Sequence, residues 1–207
     1  MDSIAGFILT GGRSSRMGTD KSLLMLDGQS FVERIAGELS PTTSSITIVG
    51  DEKLANQTRI KLPTISDVYR QWGALGGVHA ALSACSASWA LIVACDFPFV
   101  TKELFGRLSA YREGWDAVAP IQRDGIPQPL SALYRVEPCL GRAEQLINSG
   151  ERKPVALLQS VETRWVTFPE LSSLEGAEKF FDNINTPEDY ARVSEKGPTS
   201  LDDVAMG

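Results

Sequence analysis

The segment Leu9-Thr10-Gly11-Gly12-Arg13-Ser14-Ser15-Arg16-Met17-Gly18-Thr19-Asp20-Lys21 concentrates chemistry that the rest of the chain lacks. Gly11 and Gly12 allow a backbone turn with positive φ and let amides approach a ligand closely. Arg13, Arg16 and Lys21 add cations to the same loop. Glycine amides with clustered cations are what a polyphosphate needs, because several oxygens must be met by donors at once. The spacing is neither G-x-G-x-x-G nor G-x-x-x-x-G-K-[ST], which disfavours a Rossmann dinucleotide site and a P-loop. On composition alone, a surface turn with solvated charges competes with the phosphate reading. Asp96 follows the apolar run Ala90-Leu91-Ile92-Val93-Ala94 and suits Mg²⁺, a hard ion that takes one or two carboxylates plus phosphate oxygens and waters. The alternative is a strand-terminal Asp that caps Thr101 or the next helix. Asp67 follows a shorter apolar stretch and by itself is also compatible with a turn. Asn183 and Asn185 are two apart, so in an extended segment they share a face, although Asn before a helix often serves only a turn.

These residues need a scaffold, and the hydrophobic pattern describes one. Ile4–Leu9, Ile46-Thr47-Ile48-Val49, Thr64-Ile65-Ser66 and Trp89–Ala94 read as buried strands. Helical patterns stand between them, from about Ser30 to Leu39 with Phe31, Ile35 and Leu39 on one face, and over Gly76–Cys85. Such alternation predicts an α/β fold with a mostly parallel sheet covered on both faces. The loop after Ile4–Leu9 then emerges at the carboxyl edge, where open α/β sheets bind ligands. Further on, Ala117–Pro120, Leu130–Arg135 and Thr163–Phe168 read as strands, Arg123-Asp124-Gly125 as a turn, and an amphipathic helix runs to about Ile147. Thr186-Pro187-Glu188-Asp189 is a helix start, with a Thr cap, Pro in the first turn and acids behind it.

Composition excludes other classes. The chain has 207 residues, 43% hydrophobic and 22% charged, ordinary values for a globular protein. With 20 Lys+Arg against 26 Asp+Glu, the net charge of −6 argues against a nucleic-acid or anionic-membrane binder, which needs a basic face. No apolar stretch reaches the roughly 18 residues of a membrane span, and the residues before Ile4 carry no basic leader, so no secretory signal is expected. Three widely spaced cysteines, Cys85, Cys95 and Cys139, suit a reducing compartment. His79 is the single histidine. It is expected at a helix surface or partly buried, so chemistry must rest on carboxylates, Lys, Arg and amides. The tryptophans are expected to pack, with Trp72 a possible exception because it precedes the glycines. Without internal repeats, a single domain over 1–194 is expected, followed by a disordered tail over 195–207.

The glycine loop resembles that of nucleotidyltransferases acting on nucleoside triphosphates, and is most similar to the molybdenum cofactor guanylyltransferases (MobA family). Other segments match in the same order: Asp67 followed by Gly73-Ala74-Leu75-Gly76-Gly77, then Cys95-Asp96-Phe97-Pro98-Phe99. Gln128-Pro129-Leu130-Ser131-Ala132-Leu133-Tyr134 and Asn183-Ile184-Asn185-Thr186-Pro187-Glu188-Asp189 complete the set. Thr10 stands where the family usually has alanine.

The resemblance implies a Rossmann-like three-layer α/β sandwich with a mostly parallel central sheet, of the nucleotide-diphospho-sugar transferase type, and transfer of GMP from GTP to the phosphate of molybdopterin, with pyrophosphate released and Mg²⁺ as cofactor. It implies nucleotide binding by Leu9, Thr10, Gly11, Gly12, Arg13, Lys21, Asp67 and Asp96, with Arg16, Lys21 and Asp96 catalytic and Asp96 on the metal. Gln128, Asn183 and Asn185 are then expected toward the second substrate. Partners are expected to be GTP, the molybdopterin cofactor and, transiently, cofactor-biosynthesis proteins or acceptor enzymes, in the cytoplasm. A relative using CTP or a sugar-phosphate acceptor is the alternative enzyme. A nucleotide-binding adaptor without turnover is the alternative from another class, and the presence of Arg16, Lys21 and Asp96 argues against it.

Overall fold

The computed structural model describes residues 3–10, 21–51, 58–67, 69 and 72–194. Its frame begins with β1 (Ile4–Leu9), buried at every position, as a strand covered on both faces must be. The hairpin of β2 (Met25–Leu26) and β3 (Gln29–Ser30) stands apart from the main sheet. β4 (Ser45–Val49) and β6 (Trp89–Ala94) flank β1, both parallel to it, with Ile8 opposite Ile48 on one side and Val93 on the other. With β5 (Thr64–Ile65), β7 (Ala117–Pro120), β8 (Ser131–Arg135) and β9 (Thr163–Val166), the seven-stranded order is β5-β4-β1-β6-β8-β7-β9. Only β8 runs against its neighbours, so the sheet is mostly parallel, as the sequence predicts.

The period of two along β1 divides the core. Ile4 and Ile8 join the cluster under α1 (Phe31–Leu39) and α3 (Lys102–Ala110). Ala5, Phe7 and Leu9 join the opposite cluster under α2 (Gly73–Ala84), α4 (Val136–Asn148) and α5 (Pro154–Gln159). Helix α1 starts where expected because Ser30 and Glu33 form a capping box, each meeting the other's backbone N–H at 3.3 and 2.9 Å. It buries Phe31, Val32, Ile35, Ala36 and Leu39, the stripe of an amphipathic helix.

Several expectations are corrected. Helix α2 begins at Gly73 rather than Gly76, so the glycine pair lies inside its first turns. The last strand stops at Val166. Thr167 and Glu170 then form a capping box that opens the short α6 (Phe168–Leu171) and takes Phe168 out of the sheet. Helices α3 and α5 are additional to the sequence reading. For α3 the cap is Thr101, whose hydroxyl accepts the Leu104 N–H at 3.4 Å, so Thr101 caps its own helix. At the other end, α7 (Pro187–Ser194) starts as expected, with the Asp189 N–H donating to the Thr186 hydroxyl at 3.1 Å. The tail over 195–207 lies outside the described residues.

Cys139 is fully buried on α4 and donates its S–H to the Asp116 carbonyl at 3.4 Å. Burial, with help from the Asp116 charge, pushes its thiol from 9.0 to about 12. Only the thiolate reacts, so at pH 8 site-resolved alkylation is expected to be on the order of a thousandfold slower in the native protein than in the denatured one. The sign for stability follows. The native state holds this proton more tightly, so the contribution is complete below pH 9 and is lost as pH rises toward 12. A pH series of denaturant midpoints, with Cys139→Ala lacking this part of the decline, checks it.

Candidate active site

The strand order decides where a ligand can sit. From β1 the chain moves outward through β4 and β5, then returns to place β6 on the other side of β1. The order therefore reverses between β1 and β6, the switch point at which open α/β sheets bind ligands beyond their carboxyl ends. Leu9-Thr10 ends one of these strands and Cys95-Asp96 the other. They are tied together: the Cys95 N–H donates to the Leu9 carbonyl at 3.0 Å. Thr10 is buried and secured to β4, its N–H and hydroxyl donating to the Val49 carbonyl at 3.0 and 3.2 Å. The Thr10 hydroxyl thus serves the sheet.

Asp67 reaches the same edge from β5 through a tight turn. Its Oδ1 accepts the Tyr69 N–H at 2.7 Å, and the Tyr69 carbonyl accepts the Trp72 N–H at 2.8 Å, just ahead of α2. The family-like glycines have a steric reason here. A Cβ on Gly76 would lie 2.7 Å from the Tyr69 carbonyl oxygen and 3.0 and 3.2 Å from the Asp67 carboxylate oxygens; one on Gly77 would lie 3.3 Å from Leu9. At Gly76 only glycine lets α2 approach the Asp67 turn this closely. Trp72 has its ring under the Arg152 guanidinium, 5.1 Å from the centroid, a cation–π contact that the sequence did not reveal.

The asparagines meet Asp96 through Ile184, whose N–H donates to the Asp96 carbonyl at 3.1 Å. Ile184 is buried against Leu26 and Phe31, while Asn183 and Asn185 on either side are exposed, as the period of two requires. Asp189 holds this segment, accepting the Asn185 and Thr186 N–H groups at 3.1 and 3.0 Å. The Asn185 amide in particular keeps its carboxyl below the usual range. Gln128 precedes β8, and because β8 is antiparallel it lies at the carboxyl edge too, with its N–H on the Pro120 carbonyl at 2.9 Å. It is only 7% exposed. Across the edge the order is thus Asp67, Thr10, Asp96 and Gln128.

Gly11, Gly12, Arg13 and Arg16 lie outside the described residues. Of Lys21 only the backbone is described, as the first residue of the 3-10 turn Lys21–Leu23. The residues after that turn return to the site, since Leu24 and Leu26 pack with Ile184. His79 is buried rather than at the surface, 6% exposed. Trp89 is buried, whereas Trp115 is 37% exposed and is not a core residue. A shallow groove lined by Asp116, Arg142, Gln145 and Glu162 lies at the other edge of the sheet and contains none of the predicted site residues.

The MobA-like NTP transferase domain matches residues 6–164 of this sequence. The chain belongs to that family. A probable molybdenum cofactor guanylyltransferase of Pelotomaculum thermopropionicum is 33% identical over 188 residues, 91% of this chain and 90% of the relative. The molybdenum cofactor guanylyltransferase of Vibrio cholerae is 31% identical, over 92% of this chain and 91% of its own. The crystal structure of molybdopterin-guanine dinucleotide biosynthesis protein A from Archaeoglobus fulgidus superposes with a TM-score of 0.76 at 30% identity, covering 92% of this chain and 97% of that one. As a MobA-like NTP transferase the chain has its matched region ending within β9, so the asparagine segment lies beyond the family model but within the stretch shared with these relatives. Among the described residues no three His, Cys, Asp or Glu cluster as a metal site, and no helix is long and apolar enough to cross a membrane.

Proposed function

We propose that this chain transfers GMP from GTP to the phosphate of molybdopterin, yielding molybdopterin guanine dinucleotide and pyrophosphate. The observation that carries the reading is that Leu9-Thr10 and Cys95-Asp96 end the two strands that flank the switch point. Leu9, Thr10, Gly11, Gly12 and Arg13 line the nucleotide, with Asp67 on its far side. Gln128, Asn183 and Asn185 take the second substrate. A phosphate oxygen of the pterin attacks the α-phosphorus of GTP in line, a P–O bond forms, and the bond to the pyrophosphate oxygen breaks. The nucleophile is already ionised near neutral pH, so no general base is needed. Positioning and charge stabilisation supply the catalysis. Arg16 and Lys21 neutralise the charge that grows on the leaving pyrophosphate.

The donor set fits Mg²⁺. Asp96 offers hard carboxylate oxygen at the switch point, and this ion usually takes one or two carboxylates plus phosphate oxygens and waters. When bound, it withdraws charge from the phosphate oxygens. The three separated thiols suit a reducing cytoplasm, and the product is passed on through transient contacts with cofactor-biosynthesis proteins or acceptor enzymes.

Pyrophosphate release with molybdopterin, Mg²⁺ and each of GTP, CTP and ATP tests the reading. GTP is expected to exceed the others by at least about a hundredfold in kcat/KM, a discrimination typical of sites that hydrogen-bond the substrate's polar edges. Release with CTP alone would displace the guanine assignment. GTP binding without release would make the chain an adaptor.

A further inference from the structure

His79 has no part in the transfer chemistry, yet it is buried at the heart of the nucleotide-side packing. It lies one helical turn after Gly76 on α2, 6% exposed, with neither ring nitrogen hydrogen-bonded. Two groups hold its ring. Glu144 of α4 places Oε1 3.5 Å from Nε2, and the Tyr69 ring stands at 84° to the imidazole, with centroids 5.0 Å apart. Tyr69 is the residue on which the Asp67 turn depends. Its N–H meets the Asp67 carboxylate, its carbonyl accepts the Trp72 N–H, and that carbonyl lies against the surface that Gly76 leaves open. The backbone of Tyr69 is therefore fixed by α2 and Asp67, and its side chain by His79.

We propose that His79 is a positioning residue for nucleotide binding: packed edge-on against Tyr69, its ring holds the Tyr69 ring and so sets the Asp67 carboxylate against the start of α2. The inference rests on Asp67 being a nucleotide contact. It requires the ring of His79, because His79 meets Tyr69 ring to ring and Tyr69 in turn meets Asp67 through its backbone N–H. Truncating the ring frees the turn, and the loss appears in substrate binding more than in turnover, since His79 touches no reacting atom.

The test is equilibrium binding of GTP with Mg²⁺, together with steady-state transfer kinetics, for His79→Ala, His79→Phe and Asp67→Asn. His79→Ala is expected to raise the Kd and KM for GTP about tenfold with kcat within about twofold. His79→Phe keeps a ring against Tyr69, so it is expected to bind GTP within about threefold of the parent. A merely structural role would lower the melting temperature without this split between KM and kcat. The proposal is overturned if His79→Ala, or His79→Phe if the alanine variant does not fold, fails to show the stated binding behaviour while Asp67→Asn weakens GTP. If Asp67→Asn leaves GTP binding unchanged, the Asp67 contact itself falls and this inference with it.

Discussion

Replacing Asp96 with asparagine is expected to lower kcat/KM for guanylyl transfer on the order of a thousandfold, with the fold intact. The substitution removes a charge and preserves the shape. The backbone at this point is held independently of the side chain: Cys95 is bonded to the Leu9 carbonyl, and the Asp96 carbonyl accepts the Ile184 N–H. Neither bond involves the carboxylate, so the circular dichroism spectrum and melting temperature are expected to stay close to those of the parent. A neutral amide binds Mg²⁺ far more weakly than a carboxylate does and leaves the triphosphate's charge less compensated. Pyrophosphate release measured across a Mg²⁺ titration checks this. Turnover within tenfold of the parent at saturating Mg²⁺ would remove Asp96 from the chemistry.

Gly76→Ala is expected to damage both stability and nucleotide binding, against the local preference of the helix. In an unpacked helix the change from glycine to alanine favours folding by about 1 kcal/mol. Here the new methyl group would sit 2.7 Å from a backbone oxygen, that of Tyr69, and 3.0 Å from an Asp67 carboxylate oxygen. A main-chain carbonyl already bonded to Trp72 cannot rotate away as a flexible side chain does. Either α2 or the Asp67 turn must move, so a destabilisation of about 1–3 kcal/mol and at least a tenfold rise in the KM for GTP are expected. Gly37 on α1 supplies the control, because it is exposed and a Cβ there meets nothing within 4 Å. Gly37→Ala is therefore expected to raise the melting temperature slightly and leave KM unchanged. Urea midpoints and GTP titrations of the two variants, opposite in sign, separate steric clash from helix propensity.

Much of the fold was legible because its signals are local. Trp89–Ala94 and Ala117–Pro120 form strands over the expected residues. The cap at Thr186 acts as its sequence implies. The missed helix α3 also carried a local signal in Thr101-Lys102-Glu103-Leu104, obscured by its closeness to Asp96. The start of α2 was misplaced for a different reason. Glycine propensity marks Gly76 and Gly77 as a break, whereas the Tyr69 carbonyl and Asp67 carboxylate packed on Gly76 demand a glycine inside the helix there.

The sequence by itself determined the elements, their alternation and the residue types able to handle a triphosphate, because periodicity, capping and chemical type belong to neighbouring residues. Tertiary structure alone decided which of those residues meet. It inserted β8 antiparallel between β6 and β7, which carries Gln128 to the edge holding Asp96. It also joined Ile184 to Asp96, buried His79 beneath Tyr69 and set Arg152 on Trp72. These are contacts between segments far apart in the chain, fixed by how layers of side chains fill a shared core, and no local preference encodes them.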